Sequence, residues 1–282
     1  MNTILLALLI FVAVGVGLWL VSLVMEALRR KPRPPATLRW SPDIPIQTID
    51  IGGAKLRYMK SGKGPVLILL HTLRTQLDLF EKVVPELSKH FTVYALDYPG
   101  HGYSDIPQAR YNAAFFTKAV EGFLDKLDLR DVTLAGVSIG GAIALIIAAR
   151  RNPRVARVVS INPYDYAKGR GMGRAGLFGA FVTYAALVPV VGETVMRLRN
   201  SLIMNAVLRG GVADANSIPP ALLKEMYLVG NRPGHYRGFL SLLRNAESWE
   251  AATKDYGIEI PVFSFGATRI GRGQSSASTI AC

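Results

Sequence analysis

Cysteine is nearly absent: of 282 residues only Cys282, the last, is one. A lone thiol excludes an intramolecular disulfide and any cysteine-based zinc site, and fits a reducing compartment. Histidine is scarce too, at four residues, and only His235 follows residue 101. Acidic residues number 20 against 33 Lys and Arg, a net charge of +13. That excess suits a polyanion, yet no compact basic run with interleaved aromatics and no zinc-finger spacing occurs, so nucleic acid is not the expected partner. An anionic membrane surface accounts for the charge more simply, since each juxtamembrane Lys or Arg gains about 1 kcal/mol there.

Charge is also missing from residues 3–25. At 1.5 Å per residue this run reaches about 34 Å, longer than the hydrocarbon layer of a bilayer. The run is too long for a secretory signal, and Met1-Asn2 is no basic leader, so a retained anchor is expected over 3–25. Arg29, Arg30, Lys31, Arg33 and Arg39 follow it. By the positive-inside rule the chain is then single-pass, with all that follows residue 25 cytoplasmic. Five prolines between Lys31 and Pro45 predict an extended linker over 26–45.

What is present is a large apolar fraction, 50%, enough for a sizeable core. From residue 46 strand and helix signals alternate: strands over 46–51 and 54–60, a buried strand over 65–71, an amphipathic helix over 76–89, a strand over 91–97, a helix over 111–127 and a strand over 157–162. Alternation of this kind predicts an α/β fold with a doubly wound, mostly parallel sheet. The core is assigned to 46–163 and 257–266. The segment 164–256, rich in helical signals, is expected as an inserted cap that shapes a pocket. It holds eleven Lys or Arg against five Asp or Glu between Tyr166 and Lys254, a net basic face that could meet anionic headgroups. Residues 176–191 carry no charge and suit a pocket lining or contact with a membrane surface. Residues 267–282 have no periodicity and form an irregular tail.

The chemistry centres on LAGVSIGGAIA, residues 134–144. A β-branched strand ends there and an alanine-rich helix begins, with Ser138 at the turn. Gly136 and Gly140 stand two positions either side, where a sharp elbow leaves no room for side chains. Backbone N–H groups at the start of a helix would stabilise an oxyanion formed beside the hydroxyl. The bland alternative is a glycine-rich helix start capped by serine.

The set His71, then DYPGHGYS at 97–104, then GVSIGG at 136–141 resembles, in order and spacing, the α/β-hydrolase fold superfamily. The resemblance spans roughly residues 46–266. It implies Ser138 as acyl-transfer nucleophile, with the backbone N–H groups of Leu73 and Ile139 as oxyanion donors. It implies no cofactor, and as substrate a small apolar acyl compound, an ester or a lipid-derived relative. Thr72 stands where relatives carry glycine. His101 belongs to a structural turn in the family, and His71 and His90 read as structural. Family members place an acid and then a histidine after the serine. Here the usual acid position holds Arg269, Asp165 is the fallback acid, and His235, in the inserted segment, reads as a residue of the cap surface. With the late acid and histidine missing, activity of the chain as written is in question. One codon choice for residues 269–274 would, in a shifted frame, read Asp-Trp-Ser-Arg-Pro, so a frameshifted tail is the expectation. The alternative function is a catalytically inactive relative that binds while tethered to a membrane, and other reactions on the same scaffold stay open.

Overall fold

The structure, a computed structural model, describes residues 2–164, 184–210, 214–253 and 257–265. Its centre is an eight-stranded sheet in the order β1-β2-β3-β5-β4-β6-β7-β8. The strands are β1 (Thr37–Leu38), β2 (Ser41–Ile51), β3 (Ala54–Ser61), β4 (Val66–Leu70), β5 (Thr92–Leu96), β6 (Val132–Val137), β7 (Val155–Ile161) and β8 (Val262–Phe265). From β5 to β8 every neighbour is parallel, whereas β1, β2 and β3 add an antiparallel edge. This is the expected α/β architecture.

Strand periodicity explains the two-sided core. In β4, Ile68 and Leu70 pack with Leu96, Leu134 and the helices α3 (Ala113–Lys126) and α4 (Ile139–Ala149), while Leu67 and Leu69 turn to the opposite layer with Leu77, Val84 and Val93. The α4 sequence IGGAIALIIAA is buried over its first ten residues, so it is a core helix. Asn112 starts α3 by accepting the Phe115 N–H at 2.9 Å. Leu70 of β4 lies beside Gly136 of β6, and β5 is the strand on the other side of β4. The strand order therefore reverses at β4, which makes the carboxyl ends of β4 and β6 the crevice where open α/β sheets place their sites.

Two expected elements differ. The helix predicted over 76–89 is a 3-10 turn, Leu77–Phe80, followed by the single helical turn α2 (Val84–Leu87). Asp78 is turned inward to a buried arginine, and Pro85 gives α2 a fixed start, so no continuous amphipathic face survives. The linker over 26–45 is partly strand: β1 lies inside it and β2 begins at Ser41. Pro42 and Pro45 are tolerated because β2 pairs with β3 only from Ile46 onward, and over 41–45 its strand neighbour is only the short, irregular β1.

Helix α1 (Thr3–Ala27) is capped by Asn2 and is long and apolar enough to cross a membrane. Between β7 and β8 the described part of the insertion is helical: α5 (Val191–Arg197), α6 (Ser201–Gly210), α7 (Pro220–Gly230), α8 (His235–Arg244) and α9 (Ala246–Thr253). Trp249 of α9 is fully buried against the core, and Tyr111 N–H donates to Ser241 of α8 at 2.9 Å, so the helices sit on the sheet domain.

Candidate active site

Ser138 occupies the turn between β6 and α4 with φ 55° and ψ −115°, a conformation rarely adopted by a residue with a side chain. The strain is held from both sides: Ser138 N–H donates to Ile161 at 2.9 Å, and its carbonyl accepts from Ala142 at 3.0 Å and Tyr164 at 3.1 Å. The side chain stays partly exposed. A Cβ on Gly136 would collide with the backbone of Gly140, and one on Gly140 with the carbonyl of Leu70. The glycines thus let α4 close on β6 and on the loop leaving β4. Gly140→Ala forces backbone against backbone; a loss of about 2 kcal/mol in urea unfolding is expected, with Gly257→Ala, which meets nothing within 4 Å, unchanged.

Leu73 lies in the tight turn after β4, closed by Thr75 N–H on Thr72 O at 3.3 Å. Thr72 does not need to be glycine: its φ is negative, and the left-handed position falls at Arg74 with φ 62°. The Thr72 carbonyl is fixed by Thr75 Oγ1 at 2.8 Å and by His71 Nδ1 at 2.7 Å. Among the described residues, neither Leu73 N–H nor the N–H of Ile139, first residue of α4, has an acceptor. Ser138 and both N–H groups belong to the carboxyl ends of neighbouring strands. Asp165, Arg269 and the tail lie outside the described residues.

The histidines form a pattern not expected from sequence. His71, His101 and His235 are all buried, with ring centroids 5.6 Å apart between the first two and 6.2 Å between the last two. His235, expected on the cap surface, is instead inside, because α8 begins under the cap against the β5 loop. His71 donates through Nδ1 to Thr72 O and accepts the Tyr98 N–H at Nε2, 3.4 Å away, which fixes its neutral tautomer. Burial lowers His71 to about 4, and burial with the neighbouring His71 lowers His101 to about 3. His235 is driven well below its ordinary value by burial, then by His101, Arg199, Arg232 and Arg74. Such low basicity makes it a poor proton acceptor for Ser138. His90 is exposed just before β5, at the opposite end of the strands.

Sequence reasoning also passed over three arginines. Arg74 lies 3.9 Å from the Phe239 ring of α8, and burial lowers it to about 10. Arg57 is buried in β3 and reaches Asp78 at 3.0 Å and Asp97 at 3.2 Å through Nη1. Asp97 also accepts Leu77 N–H at 2.7 Å and Tyr103 N–H at 2.9 Å, so it pins the far end of the Leu73 loop and the turn at 100–104. Burial opposes the charge on Arg57, but Asp97 and Asp78 outweigh it and raise its pKa. Arg232 bonds the carbonyls of Gly102 and of Ser104, the latter at 2.8 Å, tying the insertion to the same turn. The basic face expected of the cap is therefore partly internal: Arg199 and Arg232 are buried, and Arg244 pairs with Glu193. A helical signal cannot separate such arginines from solvated ones.

Fold and site together define a class: the chain belongs to the α/β-hydrolase fold superfamily, whose α/β hydrolase fold profile matches residues 65–195. Among particular relatives, a 2-hydroxymuconate semialdehyde hydrolase from Pseudomonas sp. strain CF600 is 30% identical over 208 residues, 72% of this chain and 66% of that protein. An uncharacterised protein of Mycobacterium tuberculosis is 28% identical over 166 residues, 59% of this chain. That match spans about half, 46%, of the mycobacterial protein's length. The solved structure of a putative epoxide hydrolase mutant from Pseudomonas aeruginosa shares the fold with a TM-score of 0.73 at 18% identity, covering 87% of this chain and 84% of that one.

Proposed function

We propose that the chain is a membrane-anchored serine hydrolase that cleaves an ester or related acyl bond of an apolar, lipid-derived substrate through an acyl-enzyme on Ser138. The observation that carries the reading is the strained Ser138 backbone, with Gly136 and Gly140 letting α4 close on β6 and on the loop that leaves β4 toward Leu73. A hydroxyl nucleophile at the head of a buried helix suits attack on a carbonyl, with the N–H groups of Ile139 and Leu73 as the proposed donors to the resulting oxyanion. Helix α1 supplies the anchor, and the domain is cytoplasmic by the charge asymmetry around it. Asp165 is the proposed acid. The reading uses no cofactor.

Hydrolysis of p-nitrophenyl acyl esters by the full chain in detergent tests it. Turnover rising with acyl length, and falling at least about a thousandfold in Ser138→Ala, is the expected result. Turnover that survives the substitution overturns the assignment. A parent chain that binds such esters but does not turn them over favours the second reading, a membrane-tethered binding relative, which the depressed basicity of His235 supports.

A further inference from the structure

Helix α1 does not leave the domain as a loose tether. Its last turns pack against α5, and Ser22 is completely buried there. Below Ser22 the Glu26 carboxylate takes three donors: Arg199 at 2.9 Å, Arg29 at 2.9 Å and the N–H of Gly234 at 2.7 Å. Arg29 in turn donates to the carbonyls of Arg197 at 2.7 Å and Arg199 at 2.9 Å, and to Asn231. Arg199 is itself buried and bonds the carbonyls of Gly230 and Arg232. A shielded network of charge-assisted bonds fixes orientation. The end of α1 and the cap therefore move as one piece, and whatever seats α1 also seats α5.

Beside this joint stands an exposed apolar tip. Val188, Val190 and Val191 are 50%, 58% and 46% exposed, and Leu202, three residues beyond Arg199, is 79% exposed. Val190 has φ 67° and ψ −49°, a left-handed conformation that a β-branched residue adopts only under strain. The C-terminal residue of α5, Arg197, meets Arg29 at the end of α1, and α5 as a whole packs against α1. Arg30, Lys31 and Arg33 are exposed in the segment that follows α1. A cleft of about 360 Å³ at the same junction has Met25, Leu28 and Leu228 as apolar walls and Arg30 at its mouth.

We infer that the cap rests on the bilayer: the Val188–Val191 tip and Leu202 enter the boundary between headgroups and acyl chains, and Arg30, Lys31 and Arg33 meet anionic headgroups. The inference rests on reading α1 as a membrane span. Its occupant is a lipid surface because the tip opens α5, which packs on the span-length apolar helix α1, and because Arg30, Lys31 and Arg33 stand exposed directly after α1. An interface of this kind brings apolar substrate to the cap without passage through water.

The test uses the full chain with Cys282→Ser, carrying one cysteine at a time for an environment-sensitive fluorophore: Val12→Cys in α1, Val190→Cys, Leu202→Cys, and Arg130→Cys at the opposite end of the parallel strands. Each is reconstituted in vesicles of phosphatidylcholine and phosphatidylglycerol containing a doxyl-labelled lipid. Roughly twofold quenching at Val12, Val190 and Leu202, with none at Arg130, is expected. Quenching at Val12 but at neither Val190 nor Leu202 overturns the inference and leaves the anchor standing. No quenching at Val12 removes the anchor, and the inference with it. Both tip positions are exposed, so their variants fold.

Discussion

Replacing Arg57 with methionine is expected to lower the unfolding free energy by about 3–5 kcal/mol, the cost of breaking a buried ion pair by deleting one partner. Two carboxylates, Asp78 and Asp97, share this one guanidinium, and all three groups are buried. Without it, Asp97 keeps only the N–H groups of Leu77 and Tyr103, and Asp78 keeps Gln76 and Trp40. Neutral donors do not offset two negative charges held in a low dielectric. Lys89→Met, which removes an exposed pair with Glu86, provides the comparison and should leave the urea midpoint unmoved. Because Asp97 holds Leu77, the same substitution should loosen the loop that carries Leu73, so residual folded protein is expected to turn over esters more slowly. A midpoint for Arg57→Met equal to that of the parent would show that the network contributes nothing.

Acidification is expected to destabilise the fold steeply between pH 6.5 and 4. His71 and His101 are neutral when folded, at about 4 and about 3, against 6.5 for a free imidazole. In that window the unfolded chain binds protons that the folded chain refuses, so stability is complete above pH 6.5 and falls as pH falls. At pH 5 each histidine contributes about 2 kcal/mol of loss, which for the pair corresponds to a fall in Tm on the order of 10 °C relative to pH 7.5. His235, lowered by burial in the same way, adds to the slope, so thermal unfolding of His101→Gln should keep about two thirds of the parent's pH dependence. A variant with the parent's full slope would mean that other groups cause it.

Much of the architecture was readable locally. Alternation of Leu67, Ile68, Leu69 and Leu70 between two core layers follows from strand pleating, and a serine between glycines after a β-branched run announces the elbow. What escaped reading depends on partners distant in sequence. Glu26 finds Arg199 173 positions away, and Arg57 finds Asp97 40 positions away; nothing near either residue signals burial. The periodicity of 76–89 reads as an amphipathic helix, but Asp78 is the most buried acid of that segment and turns inward to Arg57. His235 reads as a surface residue because it lies in the inserted segment; its burial depends on His101, far earlier in the chain. Thr72 stands where relatives carry glycine, and the left-handed backbone position of this turn falls two residues later, at Arg74.

The central claim is that Ser138 is the reacting nucleophile. Treating the reconstituted chain with a fluorophosphonate and mapping the adduct by peptide mass spectrometry tests it most directly. The account predicts one phosphonyl group on the peptide holding Ser138 and none on the Ser138→Ala variant. Modification of another residue, or an unmodified Ser138 in folded protein, would contradict it.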